Sequence, residues 1–245
     1  MNLNFIKKKQ ILKRTAIRIM NTFYPTESIK SSKLKWSNLG LQNPEHYTCS
    51  EQKFFSKEEF KAIGLRDYQD LIVNDNELWK MIPGRKRVLE IGCGIGRITE
   101  FFIEKFEQIF GVDIAKTMIE NAKKRILNPR YHFLETDGKT LPFPDKMFDL
   151  VFSHAVFHHM PSREIIEANF REVLRVLVPN GLFKVQLRST PTSKLNWFYG
   201  VSFSRQQAEA LAEKIGFDVI YNKELVHKTD KRYLYLLLRK PETLK

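Results

Sequence analysis

The sequence predicts an α/β fold, and three observations carry that prediction. The apolar run Val88–Ile91 breaks into Gly92-Cys93-Gly94-Ile95-Gly96 and an apolar helical pattern begins at once, a strand–turn–helix signal. Further short apolar runs, Gln108–Asp113, Tyr131–Glu135 and Lys146–Ser153, follow at spacings that suit repeated βα units, the requirement of a parallel sheet. Last, the runs Phe217–Val226 and Arg232–Arg239 are joined only by Lys228-Thr229-Asp230, a connection so short that these two strands must pair antiparallel.

Taken from the start, the chain divides by charge. Residues 1–35 hold nine basic residues against the single acid Glu27, a balance of +8 out of a total of +13 over 245 residues. Ile6, Ile11, Leu12, Ile17, Ile19, Met20 and Phe23 recur among those charges at near-helical spacing, so the segment reads as a basic amphipathic extension. Such a helix suits an anionic lipid surface or an acidic partner, and equally packing on its own domain. Lys13, Arg14 and Arg18 interrupt the apolar stretch, which argues against a secretory signal.

Residues 36–83 are less regular and form a segment apart from the strands that follow. Lys57–Ile63 and Asp67–Met81 have helical spacing, with Leu71, Leu78 and Trp79 facing inward. Trp36, Tyr47, Phe54, Phe55 and Tyr68 are the aromatic residues available as pocket walls.

Residues 84–245 form the α/β domain. Beyond its first four strands, a helix over Ser162–Leu177 carries Ile165, Ile166, Phe170, Val173 and Leu174 near one face. Val178-Pro179-Asn180-Gly181 then turns the chain into a fifth strand, Leu182–Arg188. Ser204 and Gln207 have the spacing of a capping box that opens a helix, and Gly216 closes it.

The glycine run narrows the ligand. A dinucleotide fingerprint needs a glycine where this chain has Arg97, and a phosphate P-loop needs a Gly-Lys-Ser/Thr that is absent. The pattern Glu90-x-Gly92-x-Gly94-x-Gly96, with Asp113 ending the second strand, Asp137-Gly138 after the third and Ser153 ending the fourth, resembles class I S-adenosylmethionine-dependent methyltransferases. The resemblance covers residues 81–240 and is strongest over 88–160. It implies a Rossmann-like, seven-stranded, mostly parallel sheet with its last strand antiparallel and helices on both faces, to which this chain adds its N-terminal helical extension, and it implies that residues 36–83 serve as a cap or lid over cofactor and substrate. It also implies S-adenosylmethionine as cofactor, held by Glu90, Gly92, Cys93, Gly94, Gly96, Arg97, Asp113, Ile114, Asp137, Gly138 and Ser153. In that family the glycine loop wraps the methionine end, the acid at Asp113 accepts the ribose hydroxyls, and Asp137 with its neighbour meets the adenine.

A sulfonium methyl is already activated, so catalysis needs mainly in-line positioning and exclusion of water. A base is required only for a protonated acceptor. His158 and His154, beyond the fourth strand, are the proton-transfer candidates, and a histidine base would make activity rise with pH near neutrality. No carboxylate or cysteine completes a metal site around them.

The acceptor is expected to be a small molecule, a metabolite, quinone-like lipid or sugar. The Asp/Asn-Pro-Pro-Tyr/Phe signature of base-modifying amino-methyltransferases does not follow Ser153, and no RNA-binding motif accompanies the basic N-terminus. An RNA or protein methyltransferase is the alternative enzyme, and a cofactor-binding scaffold subunit the non-enzymatic one. The two cysteines, Cys49 and Cys93, build no disulfide framework, and no run of about eighteen apolar residues occurs, which points to the cytoplasm, with peripheral membrane contact through the basic segment.

Overall fold

A computed structural model describes residues 28–49, 56–189, 200–226 and 232–243. Strands β1 (Arg87–Ile91), β2 (Gln108–Asp113), β3 (Tyr131–Glu135), β4 (Phe148–Ser153), β5 (Leu177–Arg188), β6 (Asp218–Val226) and β7 (Arg232–Arg239) form one seven-stranded sheet in the order β3-β2-β1-β4-β5-β7-β6. The first five pair in parallel, and β7 runs antiparallel between β5 and β6. The antiparallel hairpin expected from its short connection is present, while Lys228-Thr229-Asp230 lies outside the described residues.

The central strands are apolar on both faces because both are covered. Leu89, Val151, Phe183 and Val185 pack with Ile166, Phe170 and Val173 of helix α6 (Arg163–Val176) and Ala208, Ala212 and Ile215 of helix α7 (Arg205–Ile215). Their sequence neighbours Val88, Leu150, Phe152 and Leu182 face Phe101, Phe102, Tyr68, Ile72 and Leu78 on the other side. The expected capping box is formed: Ser204 Oγ accepts from Gln207 N, Gln207 Oε1 accepts from Ser204 N, and Gly216 ends α7 in the left-handed region.

The N-terminal part places helix α1 (Ile29–Gln42) and helix α2 (Pro44–Cys49) beside helix α5 (Lys116–Arg125), with Thr117 Oγ1 donating to Ser37 O at 2.9 Å. Helix α1 runs unbroken across position 35, where the charge composition changes. The amphipathic pattern over Ile6–Phe23, and Phe54 and Phe55, lie outside the described residues. Among the described residues no helix is long and apolar enough to cross a membrane.

Three local expectations are corrected. The predicted helix Asp67–Met81 is broken. Helix α3 (Lys57–Tyr68) continues through a π turn, Gln69–Val73, and helix α4 restarts at Asn76–Met81. Asp75 causes the break, because its carboxylate caps α4 at Leu78 N (3.2 Å) and also holds the buried Lys184 ammonium (2.5 Å). After the glycine loop a 3-10 helix, Thr99–Glu104, replaces the expected α-helix. Its buried positions recur every third residue, Ile98 with Phe101 and Thr99 with Phe102, which three residues per turn align on one face. Finally, β5 begins at Leu177 rather than Leu182. The turn signal at Asn180-Gly181 is absorbed as a register shift within the strand, with Asn180 at φ +63° and its N–H donating to Lys240 O.

Candidate functional site

A cavity of about 140 Å3 opens at the carboxyl ends of β1, β2 and β4, roughly tenfold the space a single water requires. This is the edge at which parallel α/β sheets present ligands. Its floor is Gly92, Gly94 and Asp113, one end is Ile114, Gly138, Leu141 and Asn169, and the other is His154, Val156 and His159. Ile29, Ser32 and Trp36 of α1 and Tyr47 and Thr48 of α2 roof it. Because 29, 32 and 36 are spaced i, i+3, i+7, one helical stripe supplies three of those five residues.

The glycine loop folds back on β2: Gly92 N and Cys93 N both donate to Val112 O, at 2.7 and 3.0 Å. Gly92 has φ +73°, and a Cβ there would lie 2.1 Å from Val156 Cγ2, so only glycine lets the loop and the β4 turn touch. Asp113 fastens the loop. Its Oδ2 accepts from Gly94 N at 3.0 Å and its Oδ1 from Ala115 N at 2.8 Å. Burial raises the Asp113 pKa to about 6, against the pull of those backbone donors. The carboxylate, held by the backbone donors of Gly94, Ala115 and Ile114, keeps acceptor capacity for a ligand donor, and the residue borders the cavity.

Several sequence-predicted residues stand behind this floor instead of lining it. Glu90 is buried, accepts from Thr99 Oγ1 at 2.5 Å, and burial lifts its pKa to about 7. Arg97 is turned away to an ion pair with Asp67 of α3. Cys93 packs with Ile119, Ala122 and Phe133, and a Cβ on Gly96 would meet Ile126 Cδ1 at 2.7 Å, so both serve strand–helix packing. Ser153 Oγ donates to Ile91 O at 2.9 Å, stitching β4 to β1. Asp137 accepts from Lys139 N and Thr140 N (2.8 and 2.7 Å) in a turn outside the cavity lining, although its neighbour Gly138 does line it. Tyr68, one of the candidate pocket-wall aromatics, lies wholly in the core against Phe101 and Phe102.

The histidines separate in the same way. His154 borders the cavity, its ring stacked between Phe152 and Tyr235, and its Nδ1 is buried with no hydrogen-bond partner among the described residues. Burial, then the positive charge of Arg97, lowers its pKa to about 4, so the near-neutral titration expected of a histidine base is displaced to acid pH. His158 is buried behind the lining, its ring 4.0 Å from His159 and 5.4 Å from Tyr233, and burial holds its pKa well below the usual histidine value. His159 reaches the cavity instead and meets Trp36 edge-on at 5.0 Å. The short 3-10 turn Phe157–His159 makes this choice by burying Phe157 and His158 together.

Sequence reasoning missed Ala155 and Asn169. Ala155 carries φ +59°, a conformation costly without glycine, held by its N–H donating to Gln186 Oε1 at 2.9 Å. Asn169 interrupts the apolar face of α6, and a polar residue on a buried stripe is the signal that marks it. Among the described residues no three His, Cys, Asp or Glu side chains gather as metal ligands do.

Known proteins resemble this chain in sequence and in fold. Residues 89–185 match the model of a methyltransferase domain. A sterol 24-C-methyltransferase of Pneumocystis carinii is 28% identical over 158 residues, 56% of this chain and 41% of that one. The chain spans 31–53% of the length of three curated relatives it matches. In fold it is similar to a Haemonchus contortus phosphoethanolamine N-methyltransferase in complex with phosphomonomethylethanolamine and S-adenosylhomocysteine (TM-score 0.65, 16% identity, 87% of this chain and 60% of that one). It is also similar to the [4+2]-cyclase SpnF (TM-score 0.60, 19% identity, 85% and 97%), so this fold houses more than one chemistry.

Proposed function

The chain belongs to the class I S-adenosylmethionine-dependent methyltransferase family, and on that premise we propose that it transfers a methyl group from this cofactor to a small-molecule acceptor beneath helices α1 and α2. One observation carries the reading: a cavity whose floor is the glycine loop and Asp113 is roofed by side chains from the N-terminal helices. The residues present suit the cofactor. The half-buried Asp113 carboxylate, with acceptor capacity left on the cavity side, answers a vicinal diol, and the apolar end at Ile114 and Leu141 answers a purine.

When bound, the cofactor supplies a methyl carbon already activated toward displacement. The chain's share is positioning. Gly92 and Gly94 allow close approach to backbone, while Trp36 and Tyr47 exclude water from above. His154, held unprotonated above about pH 4, offers a polar edge near the acceptor without changing charge at neutral pH. A roofed, largely apolar chamber favours a small acceptor over a nucleic-acid or protein surface, as do the sterol and phosphoethanolamine in the relatives' names.

The test is to incubate the full chain with methyl-labelled cofactor and separate small-molecule, RNA and protein fractions of a cell extract. Label entering the small-molecule fraction is the expected result. Label confined to RNA or protein would overturn the acceptor class, and absence of both transfer and cofactor binding would overturn the enzyme reading.

A further inference from the structure

The apolar end of the cavity contains a buried amide, Asn169, that uses only its nitrogen in the packing around it. Asn169 sits on α6 between Ile165 and Val173, is 3% exposed, and borders the cavity beside Gly138, Leu141 and Ile165. Its Nδ2 donates to Gly138 O at 2.8 Å and to Ile165 O at 2.9 Å. Two carbonyl oxygens at these distances fix the orientation of the amide, because a flipped group would set its own oxygen against both. Both amide hydrogens are therefore spent. Oδ1 accepts no hydrogen bond among the described residues, and it is the polar atom left for the cavity.

Its surroundings define what it would meet. Gly138, whose carbonyl holds the amide, is packed so closely on Ile114 that a Cβ there would lie 3.0 Å from Ile114 Cδ1 and 3.4 Å from Ile29 Cγ2. Ile114 directly follows Asp113, so this slot of Ile29, Ile114, Gly138 and Leu141 begins one residue from the diol-binding carboxylate. A flat heterocycle joined to a ribose on Asp113 would enter it. The slot offers that ring one fixed acceptor at its far wall. Asp137, the residue the family resemblance sets against the adenine, lies outside the cavity lining, its Oδ1 accepting from Lys139 N and Thr140 N.

We propose that Asn169 is the specificity-determining residue for the cofactor's base, its Oδ1 accepting from the exocyclic amino group of adenine. The proposal rests on the methyltransferase reading above. A base with a carbonyl oxygen at that position turns an acceptor toward Oδ1 and leaves both oxygens unpaired, the costly case for buried polar groups.

The test compares S-adenosylhomocysteine with its deaminated analogue S-inosylhomocysteine by calorimetric titration of the full chain. The wild type is expected to bind the inosine analogue at least about tenfold more weakly. Asn169→Ala should bring the two affinities within about threefold of each other. Asn169→Thr is the second variant, since a helical threonine hydroxyl can still donate to Ile165 O while presenting no carbonyl to the cavity, and it should lose the discrimination equally. A wild type that binds both ligands alike, or variants that fold and keep the wild-type ratio, overturns the proposal and leaves the functional reading standing. Failure of the wild type to bind S-adenosylhomocysteine overturns both.

Discussion

Two tight turns leave neighbouring strands and meet beneath the cavity: the glycine loop after β1 and the histidine turn after β4. The first works through backbone. Its N–H groups fold onto Val112 O and Asp113, and its residue types are dictated by positive φ and by the absence of room for a Cβ. The second works through side chains, and which of His154, His158 and His159 faces the cavity depends on one 3-10 turn and on packing against Trp36, Phe152 and Tyr235. A function built from backbone geometry constrains sequence at fixed positions, whereas one built from side-chain direction leaves a choice among neighbours that distant contacts make.

The contact between the two turns is the place to break this comparison. Gly92→Ala sets a Cβ 2.1 Å from Val156 Cγ2 at φ +73°, so it should destabilise the fold by about 2–4 kcal/mol in urea titration and abolish cofactor binding. Wild-type stability in that variant would show that the loop and the β4 turn are not locked together.

A smaller effect is expected at the side-chain turn. His154→Asn should lower turnover by less than about tenfold, because positioning dominates. In the wild type, activity should show no ionisation from His154 between pH 5 and 8, since burial puts its titration at about 4. A loss of about 10²–10⁴-fold with cofactor affinity intact would instead make His154 the base.

The smallest change separates the cavity from the core. Tyr68 Oη is buried with no hydrogen-bond partner among the described residues, and the ring packs on Phe101 and Phe102 rather than on the cavity. Tyr68→Phe should therefore leave cofactor affinity unchanged and hold or raise stability by up to about 1 kcal/mol in thermal unfolding. Weakened cofactor binding would return this residue to the pocket wall.

The same contrast explains what was legible in the sequence. Strand ends at Asp113 and Ser153 fall where the apolar runs stop, since a strand buried on both faces must be apolar throughout its length, and the edge strand β3 ends as read at the exposed Glu135. Gly92, Gly94 and Asp113 line the cavity as read. Glu90, Cys93, Gly96 and Arg97 belong to the same motif, yet they support it from behind: alternation along β1 turns Glu90 away, the loop turns Cys93, Gly96 and Arg97 toward Phe133, Ile126 and Asp67, and a motif pattern does not record direction. The break at Asp75 was hidden because its cause, the buried Lys184, lies 109 residues away in β5. The orientation of His159 was illegible for a related reason, and so was that of Asn169, although its polar side chain on a buried stripe marks the position. A 3-10 turn and a partner carbonyl at Gly138 decide where they point, and neither leaves a periodic trace.

Asp113 joins the two halves of the account, as it clasps the glycine loop and faces the ligand. Calorimetric titration of the full chain with S-adenosylhomocysteine, wild type against Asp113→Asn from pH 8 to pH 5, tests the central claim most directly. Loss of the charge-assisted acceptor should weaken binding at least about tenfold at pH 7.5. The Asp113 pKa is raised to about 6, so its carboxylate persists above that value and is protonated below it. Wild-type affinity should accordingly be level from pH 8 to about 7 and fall below about 6, by up to about tenfold per pH unit, while the variant stays flat. Equal affinities for the two proteins, with the same pH profile, would contradict the claim that this carboxylate holds the cofactor.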